Sequence, residues 1–279
     1  MIVDAHHHLW KTSRGDYHWM TPAKPVLARD YLVEDLAPHL RKAAVARTIV
    51  VQAAQTEAET DFLLGVAAEA GFIAGVTGWL DLKNPDFPER LAFYRRHPKF
   101  VALRPMLEDL PDDEWILQSA VLSNLQYMDA SGFPFEFLTF PRHLPHALRA
   151  LERTPGLHAV IDHLSKPPIA SGRLEPWASL MRQVAEFPNV YCKLSGLVTQ
   201  ADHVQWSPAA LAPYVDHVLT VFGTDRLMFG SDWPVCRLAA EYAEVVNALR
   251  TLLCARLGPV DLEKIFRGNA ERFYRLGST

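Results

Sequence analysis

The chain has 279 residues, of which 49% are hydrophobic and 22% are charged, and its formal net charge at pH 7 is −4. This length allows one large domain or two small ones, each with a sizeable buried core. The mild negative charge gives no support to nucleic acid or to an anionic membrane surface as a partner.

The cysteines and the N-terminal segment indicate the cellular compartment. The chain has three widely spaced cysteines, Cys192, Cys236 and Cys254. Such a set forms neither a disulfide framework nor a paired-cysteine metal clip, which favours a reducing compartment. The first residues lack the basic and apolar regions of a signal peptide, and no apolar run approaches the roughly 18–20 residues that span a bilayer. We therefore expect a cytoplasmic protein without a membrane partner.

Short apolar or β-branched runs alternate along the chain with amphipathic stretches rich in Ala and Leu. The runs predict eight strands, at 2–6, 47–53, 74–82, 100–106, 133–140, 158–164, 189–197 and 226–233. The amphipathic stretches predict helices at 33–44, 58–70, 88–97, 112–122, 142–153, 177–187, 208–223, 239–253 and 262–274. At the second helix, Thr56 and Glu59 have the spacing of a capping box.

The strict alternation of strand and helix predicts the fold. It is typical of a parallel sheet with right-handed crossovers. Eight such units in a chain of this length favour a single-domain α/β (β/α)8 barrel, also called a TIM barrel, over residues 1–279, with some distortion allowed. The alternative is a doubly wound open sheet. No glycine-rich nucleotide-binding signature follows any strand, so this alternative lacks support.

The first strand ends in Asp-Ala-His-His-His. Side chains alternate across a strand, so Asp4, His6 and His8 are predicted to share one face while His7 takes the other. The functional face of a barrel lies at the carboxyl ends of its strands. This favours a site over a tag or polar loop, because tags are normally longer and do not follow a strand.

Two further strands end in residues that suit the same site. His163 follows Asp162 at the end of the sixth strand, and Asp232 follows the eighth. A buried structural histidine and a helix-capping aspartate are the alternatives. Together with His6 and His8, they would supply three nitrogens and one oxygen, a reasonable catalytic zinc shell with one position open for water.

Other polar or aromatic residues lie within the predicted strands or at their ends. Arginine suits bidentate recognition of a substrate carboxylate or carbonyl, and amide or indole groups suit a polyhydroxylated ligand. Each residue is also compatible with core packing or a structural salt bridge. The candidates for substrate binding are Arg104, Lys193, Trp79, Gln52, Tyr191 and Trp10; Gln55, Trp233 and Glu136 have similar positions.

The motifs together resemble a known family. D-A-H-H-H-L-W, G-W-L-D-L, V-I-D-H-L-S-K-P, K-L-S-G, F-G-S-D-W-P and G-N-A-E-R-F-Y resemble the sugar-lactonase branch of the amidohydrolase superfamily, and the resemblance runs nearly end to end. That branch includes L-fuconolactone, L-rhamnonolactone and dicarboxylate lactone hydrolases. The resemblance implies that His6, His8, His163 and Asp232 are the catalytic and metal-binding residues.

The sequence also departs from two-metal members of the superfamily, which carry a bridging Lys or Glu on the fourth strand and a His on the fifth. Here these strands carry Arg104 and Glu136. The resemblance therefore implies one divalent ion, with zinc the first choice, or activity without a metal.

The predicted function is hydrolysis of a small sugar-acid or carboxylic-acid lactone. Asp232 would act as general base on the attacking water, with the three histidines stabilising the developing oxyanion or holding zinc. The alternatives are a lactone isomerase or decarboxylase on the same barrel, and a non-catalytic sugar-acid binding protein. The expected partner is the small lactone, with a homo-oligomer left open.

Overall fold

A computed structural model describes residues 1–21 and 23–277. Eight parallel strands form one sheet, and their order in the sheet is their order in the chain. The strands are β1 (Ile2–His7), β2 (Val45–Val51), β3 (Ile73–Gly78), β4 (Phe100–Leu103), β5 (Phe135–Phe137), β6 (Ala159–Ile161), β7 (Val190–Leu194) and β8 (Leu227–Phe229). The predicted (β/α)8 barrel is confirmed, and each strand lies where the sequence predicts one.

Helices follow the strands and surround the sheet. They are α1 (Val33–Ala43), α2 (Glu57–Glu69), α3 (Phe87–Tyr94), α4 (Ser119–Ser131), α5 (Leu144–Arg153), α6 (Trp177–Ala185), α7 (Leu197–Gln200), α8 (Pro208–Phe222), α9 (Tyr242–Cys254), α10 (Pro259–Glu263) and α11 (Asn269–Phe273). Leu144, Ala147 and Leu151 show how they pack: helical spacing puts all three on the buried face of α5.

The helix predicted at 112–122 is misplaced. The Asp112 carboxylate accepts hydrogen bonds from Glu114 N and from Gln118 Nε2, which hold the chain in a turn. Gln118 is extended, and α4 starts only after it. Local side-chain hydrogen bonds to the backbone thus outweigh the amphipathic pattern in this segment.

The barrel closes where β1 meets the chain that follows β8. Asp232 N donates to His6 O at 2.8 Å, and His8 N donates to Trp233 O at 2.7 Å. The Asp4 carboxylate accepts from Ser231 N, also at 2.8 Å. This seam therefore fixes the two strand ends that carry three of the candidate site residues.

The interior below the barrel mouth is filled by small and β-branched side chains. Ala5, Ile49 and Val160 belong to this cluster, together with Phe273 and Tyr274 from the C-terminal segment. That segment packs at the amino ends of the strands. The barrel interior is thus a packed core, and the functional face is left to the opposite end.

The long connection between β1 and α1 is tied down by a buried carboxylate on α2. Glu59 accepts hydrogen bonds from Tyr17 OH at 2.8 Å and from Ala53 N at 3.0 Å. Thr56 accepts from Glu59 N, so half of the predicted capping box forms. Burial raises the pKa of the Glu59 carboxyl to about 7.

The length and apolar character of the helices bear on membrane insertion. Within residues 1–21 and 23–277, no helix combines the length and the apolar character needed to cross a bilayer.

Substituting Gly230 should destabilise the barrel seam. A Cβ at this position would lie 2.6 Å from His6 Cβ and 3.0 Å from Ser195 Cβ, closer than such atoms approach. We expect Gly230→Ala to lower the free energy of unfolding by about 1–3 kcal/mol, measured by urea unfolding. Gly65→Ala is the control, because nothing lies within 4 Å of its added Cβ. Equal stability of the two variants would contradict this packing.

Glu59 should make stability depend on pH. Because its native pKa, about 7, lies above the ordinary value of 4.5, its contribution is complete below pH 4.5 and is lost as the pH rises through 7. Between pH 5 and pH 8 the loss should be about 2 kcal/mol. Glu59→Gln should remove this part of the pH dependence of unfolding, whereas Glu69→Gln, at the exposed end of the same helix, should not. An unchanged slope in Glu59→Gln would refute the assignment.

Candidate active site

Three strand ends bring four buried side chains together at the barrel mouth. Asp232 Oδ1 lies 3.5 Å from His8 Nε2 and 3.8 Å from His163 Nε2. It also lies 3.9 Å from His6 Nε2, which is 3.3 Å from His8 Nε2. The sequence predicted this meeting of His6, His8, His163 and Asp232 from their positions after β1, β6 and β8.

A β-bulge in β1 decides which side chains of that strand enter the site. Asp4 pairs with Thr48 of β2 and His7 pairs with Val50, so three steps along β1 match two along β2. His7 consequently faces the helices, where its Nε2 contacts Thr48 Oγ1 at 2.9 Å. The prediction that His7 points away from the site is met.

The same bulge makes the prediction for Asp4 wrong. Asp4 was expected on the face of His6 and His8, but its Oδ2 accepts a hydrogen bond from Tyr242 OH of α9 at 2.9 Å. It therefore lies on the helix side of the strand. Burial raises the pKa of the Asp4 carboxyl to about 6. Its role is to join β1 to the β8 end and to α9.

Hydrogen bonds orient two of the imidazole rings. His8 Nδ1 lies 2.8 Å from Val51 O, which can only accept, so Nδ1 carries a proton and the neutral form of the ring has its lone pair at Nε2. His163 Nδ1 lies 2.8 Å from Ser195 Oγ, a hydroxyl that can donate or accept and that orients the ring. Such contacts are the usual outer-shell partners of metal-binding histidines.

The site residues fit a divalent ion. Asp232 Oδ1 is buried and has no hydrogen-bond partner among the described residues. Ligands held about 2.0–2.2 Å from a tetrahedral ion lie about 3.3–3.6 Å apart, close to the separations around Asp232. His6, His8 and Asp232 form one such group. An ion there would compete with Arg104 Nη1, which lies 3.3 Å from His6 Nε2.

A second group with metal-ligand geometry is formed by His6, Asp162 and His163. A cation of the chain already lies beside it: Lys193 Nζ is 3.0 Å from Asp162 Oδ1 and 3.2 Å from His6 Nδ1. Lys193 also pairs with Glu136 at 2.7 Å. This ammonium supplies the positive charge that the two buried carboxylates require.

The charges shift the pKa values of the buried groups. Burial, and next the Lys193 ammonium, lower the pKa of His6 well below its ordinary range. Burial and the neighbouring His6 do the same for His163. Burial alone would raise the pKa of Asp162, but Lys193 and Arg104 outweigh it and hold that pKa low. The two histidines are therefore neutral at pH 7, the form that binds metal.

Arg104 lies in the pocket wall and is held by Gln52. Arg104 Nη2 donates to Gln52 O at 2.5 Å, and Gln52 Nε2 donates to Arg104 O at 2.7 Å. Arg104 Nη1 pairs with Asp162 at 3.1 Å. Arg104 Nε is buried and has no partner in the described part of the chain. Gln52, predicted to bind substrate, instead positions Arg104.

Several other predicted substrate contacts lie away from the pocket. Tyr191 packs on Phe273 at the amino end of the barrel, because its place near the start of β7 puts it in the lower core. Trp10 is fully buried and donates to Arg29 O, and Trp79 binds Thr60 through its backbone. Lys193 is also fully buried, below the site. None of these four residues lines the cavity described below, and their contact with substrate stays a prediction.

Three of the four site residues, His8, His163 and Asp232, line a cavity of about 370 Å³ that is open at the mouth, whereas His6 is fully buried. Its walls also contain residues that the sequence reasoning did not select, namely Trp19, Lys24, Met106, Glu108, Asp109, Leu138, Phe140, Lys166, Gln200 and His203. Most of them lie on the loops that follow strands. Loops carry no periodic pattern, so only their position after a strand could have indicated them.

The backbone around the site adopts unusual conformations. His163, Leu164, Ser165 and Lys166 all have positive φ, between 49° and 56°, and Asp232 has a φ of 57°. Residues other than glycine pay a conformational cost in this region. Two of the four site residues are thus held in strained conformations, a feature that clusters at functional sites.

Known proteins are similar to this chain in sequence and in architecture. A family model described as amidohydrolase matches residues 3–276. An L-fucono-1,5-lactonase from Burkholderia ambifaria is 44% identical over 279 residues, covering 98% of this chain and 95% of that protein. An L-fucono-1,5-lactonase from Burkholderia multivorans is 36% identical over 287 residues, covering 98% and 96%.

A solved structure agrees with these matches. An amidohydrolase from Burkholderia multivorans with bound zinc is 36% identical and superposes with a TM-score of 0.95, covering 99% of this chain and 100% of that one. The resemblance predicted from the strand-end motifs is confirmed: the chain belongs to the amidohydrolase family.

Proposed function

We propose that the protein hydrolyses the ring ester of a small sugar lactone, and that L-fucono-1,5-lactone is the first substrate to test. The observation that carries this proposal is the convergence of three imidazole nitrogens on the unpartnered Asp232 Oδ1, at the floor of a cavity sized for a small ligand. Two curated relatives with full-length matches are named as L-fucono-1,5-lactonases, which supports the lactone-hydrolysing activity predicted from the sequence.

Asp232 is the proposed general base. Its carboxylate accepts a proton from a water molecule as that water attacks the lactone carbonyl. The ring C–O bond then breaks, and Asp232 returns the proton to the leaving alkoxide. One water is consumed and one hydroxy acid is formed. Asp232 lines the cavity and is 3% exposed, so it is reachable by substrate yet sheltered from bulk solvent.

Arg104 is the proposed carbonyl-binding residue. Its Nε–H is buried and has no partner among residues 1–21 and 23–277, although the side chain lines the cavity. A donor preorganised in this way stabilises the negative charge that develops on the carbonyl oxygen. Gln52 and Asp162 hold the other guanidinium nitrogens, so the donor does not need to reorganise during the reaction.

His6, His8, His163 and Asp232 would hold one zinc ion. When bound, zinc supplies a Lewis acid for the carbonyl and lowers the pKa of water. The structure favours this version over activity without metal. His8 Nδ1 donates to Val51 O, so neutral His8 offers a lone pair at Nε2, and a lone pair binds a metal but cannot donate to an oxyanion.

Some expectations from the sequence stay predictions. These are a single domain over residues 1–279, a cytoplasmic location and a homo-oligomer. The alternatives are isomerisation or decarboxylation on this barrel and binding without catalysis. Product analysis distinguishes them from hydrolysis, because hydrolysis gives only the hydroxy acid.

Removing the proposed base should abolish turnover. We expect Asp232→Asn to lower kcat by about 10²–10⁴-fold, because the amide cannot accept the proton of water. Hydrolysis releases acid, so turnover can be followed with a pH indicator. Asp86→Asn, an exposed residue whose side chain makes no capping bond, is the control. Turnover by Asp232→Asn within a few-fold of the wild type would exclude Asp232 as base.

Neighbouring histidines should differ in zinc binding. His8→Ala removes a proposed zinc ligand. Changing a residue that only hydrogen-bonds to a ligand typically weakens metal binding about 10–100-fold, and His8→Ala should weaken zinc binding by more than this. His7→Ala should keep zinc, because His7 faces Thr48 on the helix side. Metal content by mass spectrometry and competition with a chromophoric chelator measure both. If His7→Ala loses zinc as His8→Ala does, the assignment of the ligands is wrong.

A further inference from the structure

The cations in the pocket wall are already paired with carboxylates of the chain. Lys166 Nζ forms an ion pair with Glu108 Oε2, and their side chains are 17% and 14% exposed. Arg104 pairs with Asp162 and is 1% exposed. Sheltered pairs of this kind are only weakly screened by salt. Lys166 is therefore not free to receive an anionic group of a ligand, and Arg104 offers only the Nε–H proposed above for the carbonyl oxygen.

Carboxylates face the same cavity. Glu108 and Asp109 both line it, in addition to Asp232, which is assigned above to the attacking water and to zinc. A negatively charged group on a ligand would therefore meet like charges. The third lysine or arginine of the wall, Lys24, is exposed, so solvent reduces its effect, and the His203 side chain is exposed as well.

The rest of the wall suits an uncharged ligand. Met106, Leu138 and Phe140 give the cavity an apolar side that can pack against ring carbons. The Phe140 ring also holds Lys166, whose Nζ lies 5.1 Å from the ring centre. Lys166 is therefore fixed beside the cavity whether or not Glu108 is charged.

We propose that Glu108 is a specificity-determining residue that restricts this pocket to uncharged lactones by neutralising Lys166. The inference rests on the proposed lactone hydrolysis and narrows its substrate class. The charges of the cavity wall also affect release of the product. Hydrolysis turns the neutral ring ester into a carboxylate, and the carboxylates that exclude an anionic substrate also disfavour the anionic product. The selectivity is set by the Lys166–Glu108 ion pair, which occupies the ammonium that would otherwise attract an anionic ligand.

The test compares two sugar lactones that differ only at the terminal carbon, with a hydroxymethyl group in one and a carboxylate in the other. Glu108→Gln keeps the size of the side chain and removes its charge. In this variant kcat/KM for the carboxylate-bearing lactone should rise by about tenfold or more relative to the neutral lactone. A ratio within twofold of the wild type would overturn the proposal.

Two further variants test whether the change in the kcat/KM ratio depends on the Lys166 ammonium. Because the gain depends on the freed ammonium, it should vanish in the double variant Glu108→Gln/Lys166→Met; a gain that persists there would overturn the role of Lys166. Glu114→Gln is the matched control, because it frees Arg149 from an ion pair at the surface, with Glu114 62% exposed. It makes the same charge change on the same loop and should leave the ratio unaltered.

A binding measurement separates this inference from the proposed function. The two hydroxy acids formed from these lactones carry one and two carboxylates, and their affinities can be measured by calorimetry without turnover. Glu108→Gln should bind the dianion about tenfold more tightly relative to the monoanion than the wild type does. An absence of lactone turnover in the wild type would reject the proposed function, whereas an unchanged affinity ratio would reject the role of Glu108.

Discussion

The structure of the site depends on one buried carboxylate oxygen that lacks a hydrogen-bond partner in the described part of the chain. Asp232 Oδ1 is sheltered from solvent and surrounded by imidazole nitrogens at 3.5–3.9 Å. An ionised carboxylate is costly to bury without a counter-charge. Burial keeps two of the three histidines, His6 and His163, neutral, so these two do not supply that charge. The arrangement is therefore one that a divalent cation would stabilise, which is consistent with the zinc-bound relative.

A layer of balanced charge beneath the site supports this arrangement. Lys193 and Arg104 provide two positive charges, and Glu136 and Asp162 provide two negative ones. Tyr274 OH from the C-terminal segment completes the hydrogen bonding of Glu136 at 2.6 Å. Buried ion pairs are weak evidence for stability, since desolvation offsets their attraction. Their value here is positional: the network contacts His6 directly and limits the orientations of its ring.

The strained backbone after β6 is held by its surroundings. Leu164 O accepts a hydrogen bond from Trp177 Nε1 at 2.6 Å, Ser165 Oγ contacts Thr139 Oγ1 at 2.8 Å, and His163 is fixed by Ser195. Contacts from three other elements thus determine a run of residues with positive φ. This is the condition under which such conformations persist, and it directs His163 across the barrel mouth toward Asp232.

The amino-acid sequence by itself determined the alternation of eight strands and helices and, with it, the edge of the sheet where His6, His8, His163 and Asp232 lie, because both follow from local periodicity. It could not determine the bulge that turns Asp4 toward Tyr242, since a bulge depends on the register of β1 against β2. The same limit applies to Tyr191 and Lys193: a strand pattern gives a face but not a depth in the barrel. Only the tertiary structure paired Lys166 with Glu108, because loops far apart in the chain meet there without any periodic signal, and the charge of the pocket is a property of their meeting.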